Sequence, residues 1–188
     1  MPETANRDAI EARLRRVNPG LNVYFKEFGD DVVEAEQEAI RVAEADSLLY
    51  ISPYDDLEVV GGQGTIAVEM LDQIKAYGLE KLDAIFVPVG GGGLISGIAS
   101  YVKSVSPNTK IIGCQPRNNA CLMNSVLKGY VLPLGRYERN GGGTLSDGTA
   151  GGIVRGTFTY NLCKAKACVD QWVEVSEMEI EEAIVGFH

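Results

Sequence analysis

With 188 residues, 45% of them hydrophobic and 23% charged, the chain can bury one good core or two small ones and has the make-up of an ordinary globular protein. A net charge of -9 and the lack of any basic stripe argue against a nucleic-acid surface, and no apolar run approaches the ~18 residues of a membrane helix. The opening MPETANRDAI has neither a basic nor an apolar stretch, so no signal peptide is expected and a cytoplasmic setting follows by default.

Taken in chain order, residues 5–17 (ANRDAIEARLRRV) read as a charged helix closed by the turn signal NPG at 18–20. LNVYFKEF at 21–28 is strand-like. Residues 30–45 place Val32, Val33, Ala39, Ile40 and Ala43 among acids, an amphipathic helix with Asp30 as its cap. LLYISPY at 48–54 reads as a strand ended by proline, and residues 64–77 as a helix stopped by Gly78. LDAIFVPV at 82–89 is a buried strand, LISGIASYVKSV at 94–105 a helix, and KIIGCQP at 110–116 another strand. A short helix around 119–128 leads into a glycine-rich, loop-like region. WVEV at 172–175 reads as a strand, and Ser176 with Glu179 forms a capping box for the helix that follows. Strands separated by helices imply parallel βαβ units and an α/β fold, with parallel twisted sheets flanked by helices.

Four cysteines, Cys114, Cys121, Cys163 and Cys168, suggest neither a disulfide framework nor zinc. There is no CxxC, and the sole histidine is His188. Buried, reduced thiols are the expectation.

The 22 glycines exceed the usual ~7% and cluster at 61–64, 90–93, 141–143 and 148–152. The tetraglycine Gly90–Gly93 lies between a strand and a helix, the layout of an anion cradle. A helix start presents free N–H groups and the positive end of the helix dipole. Glycine removes the Cβ atoms that would hold a phosphate off and permits positive φ. A tight turn with nothing bound needs one or two glycines, not four. The triphosphate-binding loop is excluded because no Lys-Ser or Lys-Thr follows in place. The dinucleotide fingerprint G-x-G-x-x-G also fails. From Gly90 its last place falls on Ile95, from Gly91 on Ser96, and from Gly92 its second glycine is Leu94. The next strand ends at Gln115, where a ribose would call for an acid. A monophosphate gripped by main chain remains.

VPVGGGGLISGIA resembles the phosphate-binding loop of the fold-type II pyridoxal-phosphate enzymes, a fold like that of the tryptophan synthase β subunit. The threonine dehydratase and serine racemase branch is the closer match. MPETA, YISPYDDLEVVGGQGTIAVEML, KIIGCQP and TLSDGTAGGI carry the resemblance over most of the chain. It implies pyridoxal 5'-phosphate as cofactor, with Gly90, Gly91, Gly92, Gly93 and Leu94 around its phosphate. Asp147 and Gly148 would lie in the loop near its ring, although Asp147 in an Asx turn or cap is an equal reading. GGQGT at 61–65 would mark a hinge, with Thr65 as helix cap. The resemblance further implies the remainder of a small domain at 1–57, part of a large cofactor domain at 58–188, and a homo-oligomer.

The implied activity is a lyase that converts L-threonine or L-serine to a 2-oxo acid and ammonia. A serine-racemase-type enzyme, a non-catalytic phosphate-binding or subunit-pairing module, and a cofactor-independent α/β binder stay open. The family's Schiff-base lysine in a Ser-Phe-Lys-like motif precedes the MPETA segment, and its asparagine loop and C-terminal Ser, Thr or Cys have no match in these residues. The expectation is therefore an incomplete, middle section of such an enzyme, inactive alone and with no catalytic residue assigned. Lys26 in VYFKEFG follows a phenylalanine but stands too close to the tetraglycine and reads as a surface lysine. The family's divalent-cation site is not carried over, because Gln115 and Cys121 stand where its acids would be.

Overall fold

The computed structural model describes residues 7–20, 22–30, 32–132, 143–153, 158–165 and 168–187. The chain divides into two compact units, Met1–Tyr50 and Ile51–His188.

The first unit holds α1 (Arg7–Val17) and α2 (Val32–Ala45). In α1 Arg15 donates to Glu11 at 2.7 Å, an i,i+4 pair in the order that suits the helix dipole. Helix α2 buries Val33, Ala35 and Ala43. Residues 22–28, expected as a strand, form none, since no strand among the described residues of this unit can take their N–H and C=O groups. Side chains hold the segment instead. Arg7 lies 5.5 Å from the centre of the Phe25 ring and 3.5 Å from Glu27, and Lys26 pairs with Glu38 at 2.5 Å. Lys26 is at the surface as expected, and there it is ion-paired.

The second unit is built on a parallel sheet of β1 (Ala84–Pro88), β2 (Lys110–Pro116) and β3 (Gln171–Val175), in that spatial order. Register runs from Ala84 opposite Lys110 to Pro88 opposite Cys114, and from Ile112 opposite Gln171 to Pro116 opposite Val175. Between these strands come α4 (Gly93–Val105), α5 (Cys121–Lys128) and α6 (Phe158–Lys164). Helix α3 (Leu57–Ala76) precedes β1 and α7 (Glu177–Gly186) follows β3. Ile85 and Val87 of β1, Ile95, Ile98 and Val102 of α4, and Ile111 of β2 are all buried in one core with Leu122. Each such side chain stabilises the fold by roughly 1.5–3 kcal/mol relative to exposure. The α/β class expected from the alternation of elements is the one observed.

Two expectations are corrected around α3. The strand read at 48–54 is not formed, because Ser52 Oγ accepts the N–H groups of Tyr54 (3.4 Å) and Asp55 (3.0 Å) and bends the chain into a side-chain turn just after Pro53. Helix α3 then begins at Leu57, well before the expected 64. Asp56 caps it by accepting from Glu58 N at 2.8 Å and Val59 N at 3.1 Å. GGQG is consequently inside the helix and is no hinge. Val60, Gly64 and Ala67 form the buried face of α3. A Cβ on Gly97 of α4 would run into Val60 O and come 2.7 Å from Gly64 N, so these glycines let two helix backbones touch. Thr65 Oγ1 donates to Gly62 O within the helix rather than capping it.

Asp170 fastens the lower end of the sheet. Its Oδ2 accepts from Ile111 N and from Lys103 Nζ, each at 2.7 Å, tying β2, α4 and the start of β3. Burial pushes this carboxyl up, but the Lys103 ammonium and the Ile111 N–H outweigh it and hold it below the usual range. The capping box forms as expected, with Ser176 N donating to Glu179 at 2.8 Å and Glu179 N to Ser176 Oγ at 3.3 Å. No described helix is long and apolar enough to cross a membrane.

Candidate functional site

Strand β1 ends at Pro88. Val89 N donates to Cys114 O at 2.9 Å, and the chain then leaves the sheet through Gly90–Gly92 into α4. Gly92 sits at φ 96°, a left-handed conformation that favours glycine. The first bond into the helix runs from Ser96 N to Gly92 O at 3.0 Å. The main-chain N–H groups of Gly91, Gly92, Gly93 and Leu94 find no acceptor among the described residues. Four adjacent unpartnered donors thus stand at the head of a 13-residue helix, where the dipole adds a positive potential.

The sequence reading assigns the glycines to an approaching anion. The structure supplies a different occupant for their missing side chains. A Cβ on Gly91 would enter the Tyr54 ring, and one on Gly93 would lie 2.8 Å from Tyr54 O. A Cβ on Gly92 would come 2.8 Å from Leu122 Cδ2 and 3.2 Å from Thr159 Cβ. Side chains are therefore excluded by the chain's own packing on both sides of the turn. What the turn offers a ligand is its row of N–H groups.

Residues beyond the turn hold it in place. Gln115, 1% exposed at the end of β2, donates its Nε2–H to Val89 O at 3.0 Å and accepts Met123 N–H at 2.7 Å. It ties the entrance of the turn to α5, and its burial removes it from consideration as an exposed ligand. The 3-10 turn Asp147–Thr149 packs beside Gly90, whose Cβ would meet Thr149 O at 3.4 Å. The SDGT segment thus lies against the tetraglycine through Thr149. Asp147 and Gly148 are on the exposed side of that turn. Leu94 is half-buried and packs on the core cluster. Asp55 and Thr159, which sequence reasoning missed, meet behind Gly91, with Thr159 Oγ1 2.9 Å from Gly91 O. Of the glycine-rich region, residues 133–142 lie outside the described ones.

Burial pushes all four thiols above their ordinary range. Cys121 and Cys163 are buried, Cys114 and Cys168 partly so, and all four are free. Burial drives the Cys163 thiol up to about 12, with Ser96 Oγ at 3.7 Å.

A phosphate monoester suits the one thing this turn offers, a row of adjacent main-chain donors at the head of a helix. The parallel β1–α4–β2 unit with this turn at the head of its helix defines an α/β protein suited to a phosphate-bearing small molecule. The family described as "Pyridoxal-phosphate dependent enzyme" matches residues 1–187, and the chain belongs to that family. It is 37% identical to threonine dehydratase 2 biosynthetic, chloroplastic, of Solanum lycopersicum, a match over 98% of this chain and 28% of the relative. It is 40% identical to the mitochondrial threonine dehydratase of Saccharomyces cerevisiae, over 84% of this chain and 26% of that one. The crystal structure of serine racemase from Dictyostelium discoideum superposes with a TM-score of 0.72 at 29% identity, covering 97% of this chain and 52% of that one. The chain thus spans little more than a quarter of the length of these two curated relatives. Its fold is that of the fold-type II pyridoxal-phosphate enzymes.

Proposed function

We propose that this chain carries the phosphate-binding turn of a pyridoxal-phosphate-dependent lyase acting on L-threonine or L-serine. Its products are a 2-oxo acid and ammonia. The observation behind the proposal is the unpartnered N–H row of Gly91–Leu94 at the start of α4, next to left-handed Gly92. Gly90, Gly91, Gly92, Gly93 and Leu94 would hold the cofactor's phosphate, and Asp147 and Gly148 belong to the turn alongside. The likeness to two threonine dehydratases supports the substrate class. Residues 1–57 and 58–188 are proposed as parts of a small and a large domain.

When bound, pyridoxal phosphate supplies an electron sink for the negative charge left at a substrate Cα. The work assigned to these residues is binding and orientation, which fixes where reacting groups meet and so lowers the barrier by proximity. A preformed donor row needs little reorganisation as the dianion arrives. A racemase is the second reading, favoured by the likeness to the Dictyostelium serine racemase.

Calorimetric titration of the chain with pyridoxal 5'-phosphate, inorganic phosphate and pyridoxal tests the site. Both phosphates should bind and compete, move the amide signals of Gly91–Leu94, and leave pyridoxal far weaker. Equal affinity for pyridoxal and its phosphate ester, or phosphate binding that leaves those amides unmoved, would overturn it.

A further inference from the structure

A Gly-Gly peptide is easily turned over, because neither residue has a Cβ to resist the change in ψ and φ. The donor row contains one such peptide, Gly91–Gly92, and its carbonyl is tied. Thr159, 0% exposed, has its hydroxyl 2.9 Å from Gly91 O and 3.0 Å from Asp55 Oδ1. A hydroxyl carries one hydrogen and can donate to only one of these acceptors. Asp55 Oδ1 already takes Thr159 N–H at 2.7 Å. Gly91 O receives a hydrogen from no other described group, so directing the hydroxyl there leaves neither acceptor unserved.

In a trans peptide the C=O and the next N–H point in opposite directions. Anchoring Gly91 O on Thr159 therefore turns Gly92 N–H to the opposite side of the turn. We propose that Thr159, oriented by Asp55, is a positioning residue for the phosphate site, locking the Gly91–Gly92 peptide so that Gly92 N–H stays available to the ligand. The inference rests on the reading of Gly90–Leu94 as a phosphate site and adds the groups that preorganise it. Asp55 and Thr159 are 104 positions apart, which is why no local motif reveals the pair.

The test compares wild type, Thr159→Val and Thr159→Ser in the full chain, with inorganic phosphate and pyridoxal 5'-phosphate titrated by calorimetry and the Gly92 amide followed by NMR. Thr159→Val keeps the shape and removes the hydroxyl, and should weaken both ligands about tenfold, the scale of one net hydrogen bond. Thr159→Ser should stay within about twofold of wild type. Phosphate should shift the Gly92 amide in wild type and serine variant alike. Equal binding by wild type and Thr159→Val, or Thr159→Ser as weak as Thr159→Val, overturns the positioning role and leaves the phosphate site standing. A wild-type Gly92 amide that phosphate does not move overturns it too, even where Thr159→Val fails to fold. No binding of either phosphate by wild type overturns both readings.

Discussion

Tyr54 stands where a side chain on Gly91 would stand. Its ring carbons crowd the position of the absent Cβ, with Cδ1 2.7 Å from it. Gly91 is not among the glycines at positive φ, so its backbone accepts an L-residue and only the ring forbids one. Gly91→Ala should cost about 1–3 kcal/mol through overpacking. Tyr54→Ala in the same chain should recover part of that loss. Urea unfolding of the four chains in a double-mutant cycle measures it, and additive losses would mean that the two residues do not meet.

Two helix glycines, Gly62 of α3 and Gly97 of α4, should part company on substitution. Gly62 is inside α3 with open space where a Cβ would go, and Gly62→Ala should stabilise by about 0.5–1 kcal/mol through lower helix cost. Gly97 of α4 faces the immovable backbone of Val60 and Gly64, and Gly97→Ala should destabilise by about 3 kcal/mol. Thermal melts of the two variants, shifting in opposite directions, check the helix contact.

Gln115 is a polar residue in an apolar strand, and its two bonds explain it. Gln115→Leu keeps the bulk but orphans Val89 O and Met123 N, at about 1–3 kcal/mol for each group left without a partner. A denaturation midpoint equal to that of wild type would mean that the amide contributes nothing to holding the turn.

Acid should loosen the first unit through Glu38. Its carboxyl is held down, from an ordinary 4.5 to about 2, by the Arg41 guanidinium and then by Lys26. A depressed carboxyl contributes stability that is present above its unfolded value and lost as pH falls through the folded one. The loss should run between about pH 4.5 and pH 2, and Glu38→Gln should flatten it. Helical circular dichroism during acid titration, with the Glu38 carboxyl followed by NMR, reads both.

Much of the second unit was legible because its signals are local. β1 and β2 show as largely apolar runs, β3 as the short WVEV segment, α4 and α7 as periodic segments, and the Ser176–Glu179 box as a spacing. What failed had non-local causes. Tyr24 and Phe25 mark a strand by composition, yet a strand requires a neighbour, and α1 and α2 supply side-chain contacts instead. GGQG reads as a breaker, but glycine in a helix is favoured where another backbone presses on it, and Gly97 is invisible from residues 61–64. The tetraglycine was legible as a turn, whereas Tyr54, Leu122 and Thr159 around it come from three distant segments. Gln115 did leave a trace, an amide among Ile, Cys and Pro in a largely apolar strand.

The two clasps of the sheet differ in reach, and this orders the assembly of the second unit. Gln115 meets Val89 across 26 positions, while Asp170 meets Ile111 across 59. Doubling the length of a closed segment adds only about 0.6 kcal/mol of closure entropy, but that entropy must be spent before distant contacts can repay it. The β1–α4–β2 crossover should therefore close first, carrying the glycine turn with it, with β3 docking onto an edge already formed. The apolar edge of β2 is open during that interval, so the refolding chain is most prone to self-association before Asp170 reaches Ile111.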